Sequence, residues 1–113
     1  MSKRVDRPLL IDMLQAGEQV LAYVKDVDLP RFLDNSMLQD AVAYRLQVIG
    51  EAANNVSDTL KDAQPDIDWF KITGLRHRIV HDYGRIDVET LYRITQKYVP
   101  PLVQQLTKLL GEV

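Results

Sequence analysis

Three absences narrow this chain before any motif does. It has no cysteine, which excludes a disulfide scaffold, a thiolate zinc site and a cysteine nucleophile. It has no excess of positive charge. The 14 Lys+Arg stand against 16 Asp+Glu, a formal net charge of −2, so a strongly basic nucleic-acid coat is ruled out. It also has no apolar run near the ~20 residues that a membrane helix requires. In the N-terminal stretch, Asp6 and Asp12 interrupt any apolar h-region of a signal peptide. The expectation is a soluble, cytoplasmic protein with no membrane contact. What is present is an ordinary globular share of apolar residues, 46% of 113. That is enough for one core and not for two, so residues 1–113 read as a single domain.

Strand patterning is nearly absent, and helical spacing runs through the chain. Leu10, Met13, Leu14, Gly17, Leu21 and Val24 recur at intervals of three and four, one face of a helix. Pro8 suits its first turn, and Asp26, Asp28 and Pro30 end it. A second helix carries Leu38, Val42, Arg45, Ile49, Ala52 and Val56 on one face, with Asn35 or Ser36 as N-cap and Pro65 as its close. Gly50, Ala52 and Ala53 are small enough for another helix to come near. The longest loop is expected around residues 60–68. Asp68 caps a third helix, Trp69 to about Tyr83, which Gly84 stops. Asp87 caps a fourth with Leu91, Ile94 and Tyr98 on one face. Pro100 and Pro101 must kink or break it before Leu102, Leu106 and Leu109 resume the pattern. The fold class is all-α, an up-down bundle of four to five antiparallel helices.

Charge is unevenly spread. From Lys71 to Lys97, Lys71, Arg76, Arg78, Arg85, Arg93 and Lys97 stand against Asp82, Asp87 and Glu89, a net of +3, while the rest of the chain is −5. Both histidines lie inside this basic stretch. A local basic region can hold phosphate on an acidic molecule. It can equally be a solvated helix face.

The stretch G-L-R-H-R-I-V-H-D-Y-G, residues 74–84, is the most informative. At about 100° per residue, Ile72, Leu75, Ile79 and Val80 span an apolar arc, and Arg76 and Tyr83 fall within it. An arginine there is the partner of Glu51 or another carboxylate, an arginine snorkelling at the edge, or the lining of a cleft or subunit interface where a phosphate arrives. His77 and His81 are four apart and share another face. Such a pair can bind metal, but there is no HExxH motif and no third ligand beyond Asp82. His81 follows Arg76 by five. Neutral imidazole can take a proton near pH 7, and a guanidinium can hold the charge that builds on a phosphate. Together they suit metal-free RNA cleavage by the 2′-hydroxyl. Spacing of five sets the two side chains about 140° apart on a straight helix, so a distorted helix end or a second subunit is needed to complete the pair.

R-H-R-I-V-H-D-Y, Arg76 to Tyr83, resembles the R-x-x-x-x-H-x-Y motif of HepT toxins in the HEPN superfamily. I-D-W-F-K-I-T-G-L-R before it, G-R-I-D-V-E-T-L-Y after it, V-I-G-E-A-A at Val48–Ala53 and the C-terminal V-P-P-L-V-Q-Q-L are similar to the family's flanking segments in order. One position departs: family members often carry Asn directly after the motif arginine, where this chain has His77.

The resemblance implies a HEPN-like helical domain that forms a homodimer, or a higher even oligomer, with two motifs facing across a cleft. It implies a metal-independent endoribonuclease, the toxin of a pair whose antitoxin is a minimal nucleotidyltransferase. That antitoxin attaches AMP to the motif tyrosine, here Tyr83. By position His81 is the general acid or base, and Arg76 holds the scissile phosphate. His77, Arg78 and Asp82 are candidate cleft residues, and Arg78 and Arg85 candidate contacts to RNA backbone. No cofactor or metal is implied. A second function fits the same fold: a HEPN partner that binds nucleic acid or nucleotide with little catalysis, antitoxin-like or adaptor. His77 and the acidic net charge leave room for it.

Overall fold

A computed structural model of the chain describes residues 3–75 and 87–112. Among these residues every regular element is a helix, in the order α1 (Lys3–Val24), α2 (Leu29–Leu33), α3 (Ser36–Asn55), α4 (Asp58–Ala63), α5 (Trp69–Thr73), α6 (Val88–Lys97) and α7 (Val99–Glu112). The fold is all-α among the described residues, as the patterning leads one to expect. α1, α3, α6 and α7 form the bundle, and α2, α4 and α5 are short connecting helices.

Capping by aspartate and asparagine sets several boundaries. The side chains of Asn35, Asp68 and Asp87 accept hydrogen bonds from the amides of Leu38, Lys71 and Thr90 at 3.0, 3.1 and 3.1 Å. Each satisfies an amide that has no partner within its own helix. At the end of α1 the chain reverses through Asp26, whose φ of 60° lies in the left-handed region that aspartate tolerates better than most residues.

α1 begins five residues before Pro8, so this proline sits inside the helix and not in its first turn. The reason is tertiary. Asp6 is buried, and its carboxylate accepts from the Ser57 amide at 2.9 Å and the Ser57 hydroxyl at 2.6 Å. Hydrogen bonds to a charged group contribute about 1.5–3 kcal/mol each. Two of them offset the ~3 kcal/mol that an interior proline costs. The same residue pair ties the start of α1 to the end of α3, which makes the two helices antiparallel. α7 also runs against α1. A Cβ on Gly17 would stand 2.8 Å from Val103, and Arg7 donates to the Leu110 carbonyl at 3.4 Å.

Two expectations are corrected in the connecting segments. α3 ends at Asn55, not near Pro65, because Ser57 starts α4 by accepting from the Leu60 amide at 3.2 Å. Residues 60–63, expected in a long loop, are therefore helical. Pro30 lies at the start of α2, a helix the patterning does not reveal. Five residues cannot hold a helix by propensity alone. Phe32 anchors it with no exposure at all, a burial that contributes about 2–3 kcal/mol. Its ring centroid is 5.2 Å from that of Tyr92, whose hydroxyl donates to the Val27 carbonyl at 2.8 Å. α2 and α6 thus close one end of the bundle.

The proline pair breaks the last helical stretch as expected. α6 stops at Lys97, Tyr98 caps it, and Pro100 and Pro101 occupy the first turn of α7, where missing amides cost nothing. Leu102, Leu106 and Leu109 are buried beyond it.

Candidate functional site

α5 is the platform that leads into the histidine-bearing stretch. Trp69 and Ile72 turn inward and are buried, as is Leu75 beyond the helix. The Trp69 indole donates to the Gln64 carbonyl at 3.0 Å, and the Gln105 amide on α7 donates to the Asp66 carbonyl at 3.0 Å. The segment before α5 is therefore held from both sides. From below, α3 approaches at Gly50, as its small side chain leads one to expect. A Cβ there would stand 3.2 Å from the Ile72 carbonyl oxygen and 3.9 Å from that of Thr73. Backbone carbonyls cannot rotate away as a side chain would. Gly50→Val should therefore push α5 off α3 and lower the melting temperature by roughly 5–10 °C, the effect of 1–2 kcal/mol of overpacking. Gly111→Val is the control, since nothing lies within 4 Å of a Cβ there. Equal melting of the two variants would contradict this packing.

The third helix expected from Trp69 to about Tyr83 is interrupted early. α5 ends at Thr73, and the Gly74 amide turns back to the Phe70 carbonyl at 3.1 Å. Gly74 breaks the expected helix there, Leu75 is helical again, and the expected end at Tyr83 and Gly84 lies outside the described residues. Arg76, His77, Arg78, His81, Asp82, Tyr83 and Arg85 lie outside the described residues. The structure describes their two anchors. On one side stands buried Leu75. On the other, both carboxylate oxygens of Asp87 are engaged by Thr90, its amide at 3.1 Å and its hydroxyl at 2.7 Å.

Between α3, α5, α6 and α7 lies a cavity of about 180 Å³, walled by Leu46, Ile49, Ile72, Leu75 and Ile94. Its inner wall is apolar. At its rim Lys71 sits 3.8 Å from Asp68 and 5.6 Å from the centre of the Tyr98 ring. Both partners of the ion pair are about half exposed, so the contact contributes little to stability. Lys71, Arg93 and Lys97 all face solvent. The basic excess of the 71–97 stretch is concentrated in residues 76–86, where three arginines meet one aspartate. Glu51, the carboxylate considered as a partner for Arg76, is exposed and lines an open groove with α1 residues Leu9 and Asp12. It is not a buried charge that requires a partner. Among the described residues no group of three or more His, Asp or Glu side chains gathers as a metal cluster, and no helix is long and apolar enough to cross a membrane.

One residue that motif reading passes over is Phe70, which is 88% exposed. The Asp68 cap fixes the register of α5. With Trp69 and Ile72 inward, position 70 must face out.

In the sequence, the arginine- and histidine-bearing stretch of residues 76–86 lies between α5 and α6. The family described as "Ribonuclease HepT-like" matches residues 13–109, and the chain belongs to this HepT-like ribonuclease family. A protein of Methanocaldococcus jannaschii, provisionally named an RNase, is 32% identical over 106 residues, covering 94% of this chain and 97% of its own. A protein of Thermococcus cleftensis, provisionally named ribonuclease HepT, is 29% identical over 107 residues, covering 95% and 97%. Another provisionally named RNase, from Caldanaerobacter subterraneus subsp. tengcongensis, is 26% identical over 107 residues, covering 95% and 96%. No solved structure matches the chain.

Proposed function

We propose that this protein is a metal-independent endoribonuclease, the toxin of a toxin–antitoxin pair. The observation that carries the reading is the family match over residues 13–109, which spans Arg76, His81 and Tyr83 in the R-x-x-x-x-H-x-Y spacing. His81 takes the proton of an RNA 2′-hydroxyl. The O2′–P bond forms, the P–O5′ bond breaks, and the leaving oxygen takes its proton from the imidazolium of His81 or from water. Products are a cyclic phosphate and a 5′-hydroxyl end. Arg76 holds the phosphate and stabilises the extra charge of its transition state. His77, Arg78 and Asp82 complete the cleft.

Two copies form a homodimer in which the motifs face each other, which answers the ~140° by which a straight helix would separate Arg76 and His81. The antitoxin is a minimal nucleotidyltransferase. It transfers the adenylyl group of ATP to the Tyr83 hydroxyl, releasing pyrophosphate. The attached AMP blocks the phosphate position and opposes the field of Arg76. The protein works in the cytoplasm on RNA and needs no cofactor. RNA cleavage with divalent ions chelated, with His81→Ala alongside, tests the reading.

A further inference from the structure

We propose that the groove between α1 and α3 is a docking site for a basic amphipathic helix of a partner protein. Docking there does not depend on the proposed RNA cleavage. Five large apolar side chains are exposed among the described residues, and four of them, Val5, Leu33, Met37 and Tyr44, belong to α1, α2 and α3. The floor of the groove is apolar, Leu9 of α1 with Val48 and Ala52 of α3, around a volume of about 400 Å³. A second open groove of about 660 Å³ continues it past Leu9 and Asn55 to Val5 and Pro8. In the other direction Tyr44 and Met37 extend the stripe along α3. Met37, Tyr44, Val48 and Asn55 are spaced by seven, four and seven residues, one side of a helix, and span about 27 Å. A long apolar groove between two antiparallel helices is a shape that receives a third helix.

Charge decides the occupant. Among the described residues the two grooves are lined by three carboxylates, Asp12, Glu51 and Asp58, and by no lysine, arginine or histidine. From Pro8 to Val24, α1 carries Asp12 and Glu18 and no base, and α3 carries Asp40 and Glu51 against Arg45. The Arg45 guanidinium lies over the Tyr44 ring, 5.3 Å from its centre, and does not line the groove. The bases of α1 stand at its start. Arg7 is directed to α7, where it donates to the Leu110 carbonyl. Arg4 precedes Asp12 by eight residues, roughly 12 Å along the helix, about one screening length. The acidic character therefore belongs to the Asp12–Glu51 part of the groove. A nucleic acid would bring its phosphates against these carboxylates. A second copy docked by two-fold symmetry would set the same acidic patch against itself. A helix whose apolar stripe is flanked by lysine and arginine meets both the floor and the rim.

The test uses the full-length protein and labelled synthetic peptides of about 18 residues, the length that spans this stripe as a helix, read by fluorescence anisotropy. One peptide has leucines at helical spacing flanked by lysines. A second replaces each lysine with glutamate. A third keeps the composition of the first and scrambles its spacing. The expected result is that the first binds at least roughly tenfold tighter than either of the others. Glu51→Lys should weaken its binding roughly tenfold and Tyr44→Ala roughly fivefold. Both side chains are exposed, so both variants should match wild type by circular dichroism. Glu89→Lys, exposed on α6, changes the net charge equally and should leave binding within about twofold. Equal losses in Glu51→Lys and Glu89→Lys would reduce the binding to net charge and overturn the proposal. So would equal binding of the three peptides, or no binding of the first. A fall in oligomeric mass in Tyr44→Ala would assign the face to a second copy of this chain, and weaker binding of single-stranded RNA in that variant would assign it to nucleic acid. Either result would equally overturn the proposal.

Discussion

Arg76→Ala is expected to lower kcat/KM for RNA cleavage by about a hundred- to a thousandfold, the range for removing one donor to a developing oxyanion. A guanidinium can make two parallel hydrogen bonds to phosphate oxygens, and its charge complements the transition state more than the ground state. The loss should therefore appear mainly in kcat. The helical spectrum, the melting temperature and the mass by light scattering should all stay at wild-type values. These controls separate the two readings of an arginine in an apolar arc. Glu51 is exposed on the α1–α3 groove, so it is not itself a buried charge in need of Arg76. An Arg76→Ala protein that unfolds would instead make this arginine a structural partner. Arg76→Lys should recover little, because an ammonium cannot reproduce the planar fork.

The second large effect is expected at Tyr83. Incubation with the cognate nucleotidyltransferase and ATP should raise the intact mass by one or more AMP units, mapping to Tyr83, and abolish RNA cleavage. Tyr83→Phe has no hydroxyl to modify. It should gain no mass and keep cleaving in the presence of the antitoxin. An equal mass gain in Tyr83→Phe would move the modification elsewhere. Loss of cleavage in unmodified Tyr83→Phe would give the hydroxyl a role in the reaction itself.

The parts of this fold that can be read from the sequence are those decided locally. Asn35, Asp68 and Asp87 cap helices because a short oxygen-bearing side chain reaches an amide three residues on. Pro100 and Pro101 mark a break for an equally local reason. Gly50 announces a close approach, and α5 makes it. The unreadable parts are set by distant partners or by elements too short for periodicity. Nothing near Pro8 shows that α1 runs through it, because the compensating bonds come from Ser57. α2 and α4 are five and six residues long, less than two turns, so no repeat of a face can appear. The end of α5 depends on Gly74 bonding back to Phe70, and the glycine ten residues later competes with it as a stop signal. For the site, the sequence supplies the motif residues and their chemistry, and the structure supplies their anchors at Leu75 and Asp87. The exposure of Phe70 escapes motif reading, because only the packing of Trp69 and Ile72 reveals it.

The most direct measurement is cleavage of single-stranded RNA by the purified, unmodified protein in excess EDTA, with folded His81→Ala prepared in parallel. Cleavage by wild type, yielding cyclic-phosphate ends, and none by His81→Ala is the expected result for an imidazole-driven ribonuclease. Equal cleavage by both would contradict the assignment of His81. No cleavage by a folded, AMP-free wild type would contradict the nuclease itself and leave a HEPN binding partner, with His77 after the motif arginine as the first position to exchange for Asn.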